Sequence, residues 1–207
     1  GLLDPDELMR RVVDLVHDRV DLYSAGLFLV DQTGEWGQDT DGEPEPERWA
    51  VLKAGSGEAG RKMMAQHHKL EIADTSMIGW CIAHLQPRIA LDVDKDPVRF
   101  NNPILPHTRS ELALPLISRG KAIGAMTIQS SRADAFSEYE IAALQTMADQ
   151  LANAMTTARM YRRAQREIIQ SERMAEMLRR HAEELQARNE ELDAFAHTVA
   201  HDLKEPL

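Results

Sequence analysis

Leu8, Val12, Leu15, Val16 and Val20 recur every three to four residues, the spacing of one face of an α-helix. Asp4 precedes them as an N-cap with Pro5 in the first turn, so the pattern predicts a helix ending near Asp21. The period then shortens. "SAGLFLVD" (24–31) and "WAVLKAG" (49–55) read as apolar strands, separated by an acidic, turn-rich connection over 32–48. After a flexible "GSGEAG" the pattern predicts a helix around 61–68 and a short helix over 76–86, opened by Thr75 or Ser76. "PRIALDV" (87–93) reads as a strand entered through a proline, and 94–108, with three prolines and two asparagines, as an irregular functional loop. "SELALPLIS" (110–118) and "KAIGAMTIQSS" (121–131) form a hairpin across Arg119-Gly120.

Ser137 and Glu140 are spaced as a capping box, and no glycine follows them and no proline before Pro206. A helix over that span is on the order of 100 Å long, more than a compact domain of this size buries. From Leu178 its apolar residues alternate by four and three: Leu178, Ala182, Leu185, Asn189, Leu192, Ala196, Val199, Leu203. That is a heptad seam. Asn189 within it either fixes a parallel two-stranded register or is a tolerated polar residue. Ile168 and Ala175 continue the frame, whereas Leu144, Ala148, Leu151, Met155 and Ala158 fit one shifted by about a residue, which places a slip near 161–165. The expected class is α+β, an antiparallel sheet with flanking helices followed by a long dimerising helix.

Composition narrows the function. Thirty-four acids against 24 bases give a net charge of −10, and the basic stretch Arg159–Arg180 is interspersed with acids, so nucleic acid is not the expected partner. A lone cysteine, Cys81, excludes an internal disulfide and any multi-cysteine metal site within one chain, which fits a cytoplasmic location. No apolar run has the roughly 20 residues of a membrane helix. The chain reads as a piece of something longer.

The candidate chemistry lies at the far end, "AHTVAHDLKEPL" (196–207). With Ala196 and Val199 in the seam, His201 faces away from it, and His197 sits about 40° round from His201. Nothing beside His197 activates it. Asp202 adjoins His201 and can hold one ring nitrogen protonated, leaving the other as a nucleophile, and Pro206 loosens the helix just beyond.

"HDLKEPL" (201–207) resembles the H-box of sensor histidine kinases. The resemblance implies that His201 is the phosphoacceptor and Asp202 the acid that orients it during transfer from ATP. Glu205 stands where Thr or Asn often supports the reverse, phosphatase reaction. The second bundle helix and the ATP-binding domain are not in this sequence, so ATP and Mg belong to a full-length kinase and this piece alone is expected to be inactive.

Residues 1–157 resemble a GAF domain through "VLKAGSGEAGR", "SMIGWCIAHLQPRIALDV", "DPVRFNNPILPHTRSELALPL" and "AIGAMTIQS". This implies a ligand-sized pocket under the loops on one side of the sheet. A bilin has no cysteine to bind in 94–108, and Cys81 reads as a buried small residue. The cyclic-nucleotide signature is echoed only by Phe136 and Glu140, and a haem ligand only by the lone His84 or His107. For a small anion or polar metabolite the donors are Arg99, Asn101, Asn102, Thr108 and Arg109, with Trp80 and Phe100 as apolar wall; alternatively these residues only pin the loop. No metal site is expected.

The resulting expectation is a GAF sensor domain (1–157), a signalling coiled coil (158–190) and the start of a HisKA phosphoacceptor helix (191–207). It would be a homodimer that governs phosphorylation of His201 and passes phosphate to a response regulator. Two other readings remain open. One is a ligand-free GAF dimerisation scaffold relaying upstream signals; the other is a small-molecule-binding protein whose coiled coil recruits partners, with the H-box match accidental.

Overall fold

The computed structural model describes residues 4–19, 22–33, 46–98 and 101–202. Along them run α1 (Pro5–Arg19), β1 (Ser24–Val30), β2 (Trp49–Gly55), α2 (Gly57–Ala65), β3 (Lys69–Glu71), α3 (Met77–His84), β4 (Arg88–Ala90), a one-turn 3-10 helix (Val93–Lys95), β5 (Ser110–Ser118), β6 (Lys121–Ser130) and α4 (Glu138–Asp202). Local chemistry sets several of these boundaries. Asp4 Oδ1 accepts from Asp6 N at 2.9 Å and caps α1. At the start of α4, Ser137 N donates to Glu140 Oε2 at 2.8 Å and Glu140 N donates back to Ser137 Oγ at 3.3 Å, a reciprocal capping box. Arg119 and Gly120 both have positive φ, 53° and 76°, the turn geometry that matches strand twist between β5 and β6.

Three segments depart from the sequence expectation. "GSGEAG" is no flexible linker: α2 begins at Gly57, with Ser56 at the N-cap position. Gly55 and Gly60 serve close packing, since a Cβ on Gly60 would stand 2.7 Å from Gly55 Cα and closer still to the Gly55 carbonyl. The strand expected over 87–93 stops at Ala90, because Asp92 starts the 3-10 helix, its carbonyl accepting from Lys95 N at 3.0 Å. β3 was not anticipated; it is a three-residue edge strand pairing Trp49↔Glu71, Ala50↔Leu70 and Val51↔Lys69, too short to show a period.

The strands form one sheet in the order β3-β2-β1-β6-β5-β4, antiparallel at every pairing. On one face α1 and the first turns of α4 bury Met9, Val13, Val16, Leu144, Ala148, Leu151 and Met155 against Leu27, Leu112, Leu114, Leu116, Met126 and Ile128. Each fully buried leucine there contributes about 2 kcal/mol relative to an exposed one. The opposite face carries α2, α3 and the loop after β4, packed as Met63, Ile78, Cys81 and Leu105 on Phe28, Leu52, Ala113 and Ala125. Both faces are covered, so the expected α+β class with helices on an antiparallel sheet holds.

The chain divides into two units, Gly1–Arg159 and Met160–Leu207. In the second, the seam residues Leu178, Leu185 and Leu192 are 62–64% exposed. Among the described residues no helix is long and apolar enough to cross a membrane.

Candidate functional site

A cavity of about 40 Å3 lies in the first unit, between the sheet and the layer of α2, α3 and the 101–108 loop. Strand register builds its floor. Ser24 of β1 is opposite Gln129 of β6, which is opposite Glu111 of β5, giving one polar row across three strands. The next row is Gly26, Thr127 and Ala113, and the one beyond carries Phe28 and Ala125. Gly26 keeps the floor open: a Cβ there would meet Leu52 Cδ1 and Thr127 Cγ2, each at 3.2 Å. Met63 of α2, Ser76 and Ile78 at the start of α3, His68, Leu70, and Asn102 and Leu105 of the loop complete the lining.

A directed hydrogen-bond chain crosses this floor. Thr108 Oγ1 has one proton for two acceptors, Gln129 Oε1 at 2.7 Å and Leu105 O at 3.1 Å; Gln129 Nε2 reaches Thr127 Oγ1 at 3.5 Å, and Thr127 Oγ1 donates to Glu111 Oε1 at 2.9 Å. Asn102 is tied down twice, its Nδ2 on Met63 Sδ at 3.1 Å and its Oδ1 accepting from Ile104 N at 3.0 Å. Burial lowers the His68 pKa, which favours the neutral imidazole. Its ring meets Phe28 edge-on, with centroids 6.0 Å apart.

Of the residues singled out in the sequence, Asn102 lines the cavity and Thr108 is one hydrogen bond behind Gln129. Asn101 is exposed. Arg109 turns to Asp92 and Asp94, 3.7 and 3.8 Å away, and is not among the cavity-lining residues. Trp80 also stands apart from the cavity lining; it stacks on His84 at 4.4 Å and lies under the Arg88 guanidinium at 4.8 Å, which Asp96 holds at 2.7 Å. Arg99 and Phe100 lie outside the described residues. His201 and Asp202 are in the final turn of α4, with their side chains outside what is described; Glu205 lies beyond. Cys81 is fully buried, its thiol directed at Ala113 O at 3.4 Å, and burial pushes its pKa up to about 12, against any nucleophilic role. Among the described residues no group of His, Cys, Asp and Glu could hold a metal ion.

The model of the family described as "GAF domain" matches residues 3–156. The chain belongs to the GAF domain family. The GAF fold recurs in solved structures that match this chain. The GAF domain of a phosphoenolpyruvate-protein phosphotransferase from Coxiella burnetii is 22% identical, with a TM-score of 0.62 over 76% of this chain and 86% of that one. Free methionine-R-sulfoxide reductase from Neisseria meningitidis, solved with its substrate, is 19% identical, with a TM-score of 0.61 over 76% and 81%. The GAF-B domain of DevS from Mycobacterium smegmatis is 18% identical, with a TM-score of 0.57 over 78% and 99%. At these identities the likeness is one of fold. No curated protein matched the chain.

Sequence reasoning placed the GAF site in the loop and missed its floor: Ser24, Gly26, Glu111, Thr127 and Gln129. A usable signal was present. A sheet covered on both faces reads as nearly continuous apolar strands, so a polar residue well inside one is the exception to explain. Glu111 in "SELALPLIS" and Thr127 and Gln129 in "GAMTIQS" are such exceptions.

Proposed function

We propose that this chain is the sensory and signal-relay part of a two-component sensor histidine kinase, its GAF domain controlling phosphorylation of His201. The observation that carries this reading is the course of α4. One helix supplies Leu144, Ala148, Leu151 and Met155 to the GAF core and runs as regular helix to the "HD" that resembles the phosphoacceptor box. In a longer parent containing an ATP-binding domain, ATP and Mg supply the phosphoryl group, His201 accepts it, Asp202 orients the imidazole, and a response regulator receives it. The seam Leu178, Leu185 and Leu192, each left more than half exposed in one chain alone, supports a parallel homodimer.

The test is to extend the chain through a kinase domain, supply ATP, and follow acid-labile phosphate. Label on the parent that is lost in His201→Gln supports the assignment; label that survives the substitution overturns it. The small cavity favours a second reading, a GAF dimerisation scaffold that binds nothing, because 40 Å3 is far below the ~300–1,000 Å3 of ordinary ligand pockets.

A further inference from the structure

A cavity of about 40 Å3 has room for a few water molecules, at roughly 10–15 Å3 of such volume each, and for nothing larger while its walls stay in place. Entry of a ligand therefore depends on which wall can move. The floor is the middle of the sheet. Both helices of the roof are seated backbone to backbone: a Cβ on Gly60 of α2 would fall 2.7 Å from Gly55 Cα, and one on Gly79 of α3 would fall 2.2 Å from Glu71 O. The remaining wall is the loop that supplies Asn102 and Leu105.

That loop is a compact body with its own hydrogen bonds. Asn102 Oδ1 accepts from Ile104 N at 3.0 Å, Asn102 O from Leu105 N at 3.0 Å, and Leu105 O from Thr108 N at 3.4 Å. Pro103 and Pro106 fix φ at two further positions. Residues 102–108 can move as one piece without breaking any of these bonds.

Its two ends are held unequally. At the C-terminal end Arg109 N donates to Ser130 O at 2.8 Å and Arg109 O accepts from Val93 N at 2.9 Å, which ties the chain to the sheet where β5 begins. At the other end, among the described residues, the side-chain hydrogen bond from 102–107 to another element is Asn102 Nδ2 on Met63 Sδ at 3.1 Å, and a thioether is a weak acceptor. Leu105, 5% exposed, adds an apolar hold. Thr108 sits between the two ends, and its single proton has two acceptors, Gln129 Oε1 on the floor and Leu105 O within the loop. It can leave the floor without being left unpaired.

We propose that residues 102–108 form a lid on the GAF cavity that lifts about its Thr108–Arg109 end when Asn102 lets go of Met63, and that this opening is the way in for a ligand. The proposal rests on the sensory reading above and deepens it: a cavity too small for a metabolite when closed becomes a site that is reached through a minor, open state.

The test is thiol labelling of the full chain with iodoacetamide across a series of urea concentrations below the unfolding transition. Ser24→Cys places a thiol of nearly the same size on the cavity floor, where Ser24 is 2% exposed. Cys81, fully buried behind α3, reports larger openings in the same molecule. A lid exposes little surface, so the floor thiol should label at a rate nearly independent of urea, while labelling of Cys81 climbs with urea. Met63→Leu keeps the volume and removes the acceptor, and should raise the floor rate at least threefold with Cys81 unchanged. Equal urea slopes for the two thiols would mean that the cavity opens only by unfolding, and overturn the proposal. A floor rate indifferent to Met63→Leu overturns it as well. Should Ser24→Cys melt below the parent, Thr127→Cys carries the floor thiol instead, at a position 7% exposed in the next row. None of these rates bears on the phosphorylation of His201, so the two readings fail separately.

Discussion

Gly60→Ala and Gly57→Ala, three residues apart on α2, should both destabilise the domain, for different reasons. At Gly60 a new Cβ falls 2.7 Å from Gly55 Cα, where carbon atoms normally rest about 3.5–4.0 Å apart. The obstacle is backbone, so α2 must retreat from β2 by about 1 Å. Overpacking of this kind costs about 3 kcal/mol, and the better helix propensity of alanine returns about 1, leaving a net loss of about 2 kcal/mol. For a domain of this size that is about 4–8 °C in Tm. At Gly57 a Cβ meets nothing within 4 Å, but φ is +63°, and the left-handed conformation costs alanine about 1–2 kcal/mol. Asparagine separates the two. It tolerates the left-handed region, so Gly57→Asn should recover stability relative to Gly57→Ala, whereas Gly60→Asn should be worse than Gly60→Ala. Urea titrations read by tryptophan fluorescence measure all four. A Gly60→Ala protein as stable as the parent would refute the close-packing argument.

The capping box at α4 gives a pH-dependent prediction. The Ser137 hydroxyl and then the Ser137 N–H lower the Glu140 pKa from its usual 4.5. Glu140 therefore contributes stability above that value and loses it as pH falls through its folded pKa, so urea midpoints of the parent and Glu140→Gln should converge in acid. Ser137→Ala should cost about 1 kcal/mol in the same assay at neutral pH. Cys81 should resist iodoacetamide at pH 8 in the native protein and react on unfolding, as mass spectrometry would show; rapid native labelling would contradict its burial. Asn189→Leu should tighten self-association in sedimentation equilibrium while admitting antiparallel pairing, detectable by cysteine crosslinking at introduced sites.

The strongly periodic parts of the fold were legible in the sequence. β2 and β5 appear with the expected bounds, and Ser137 and Glu140 form the box their spacing suggested. The misses share a physical cause, in that a short local window does not contain the deciding contact. Gly60 looks flexible until Gly55 is found against it, and β3 exists only because β2 offers an edge. The lining of the cavity was not legible for the same reason. Loop composition drew attention to Arg109, and Trp80 on the preceding helix was expected as apolar wall, but Arg109 is engaged by Asp92 and Asp94, and Trp80 by His84 and Arg88. Ser24 and Gln129 become neighbours only through the pairing of β1 with β6.

That central pairing also fixes when the domain can form during synthesis. Ser24 and Gln129 are about a hundred residues apart, and contacts of such separation are closed late and slowly. While a ribosome is still holding β6, α1, β1, β2, α2 and α3 have been made, yet the middle of the sheet is missing. A nascent chain in that state presents the inner edge of β1 without its neighbour, and the cavity has no floor. The cavity therefore comes into being only with the last step of folding, the closing of β1 on β6.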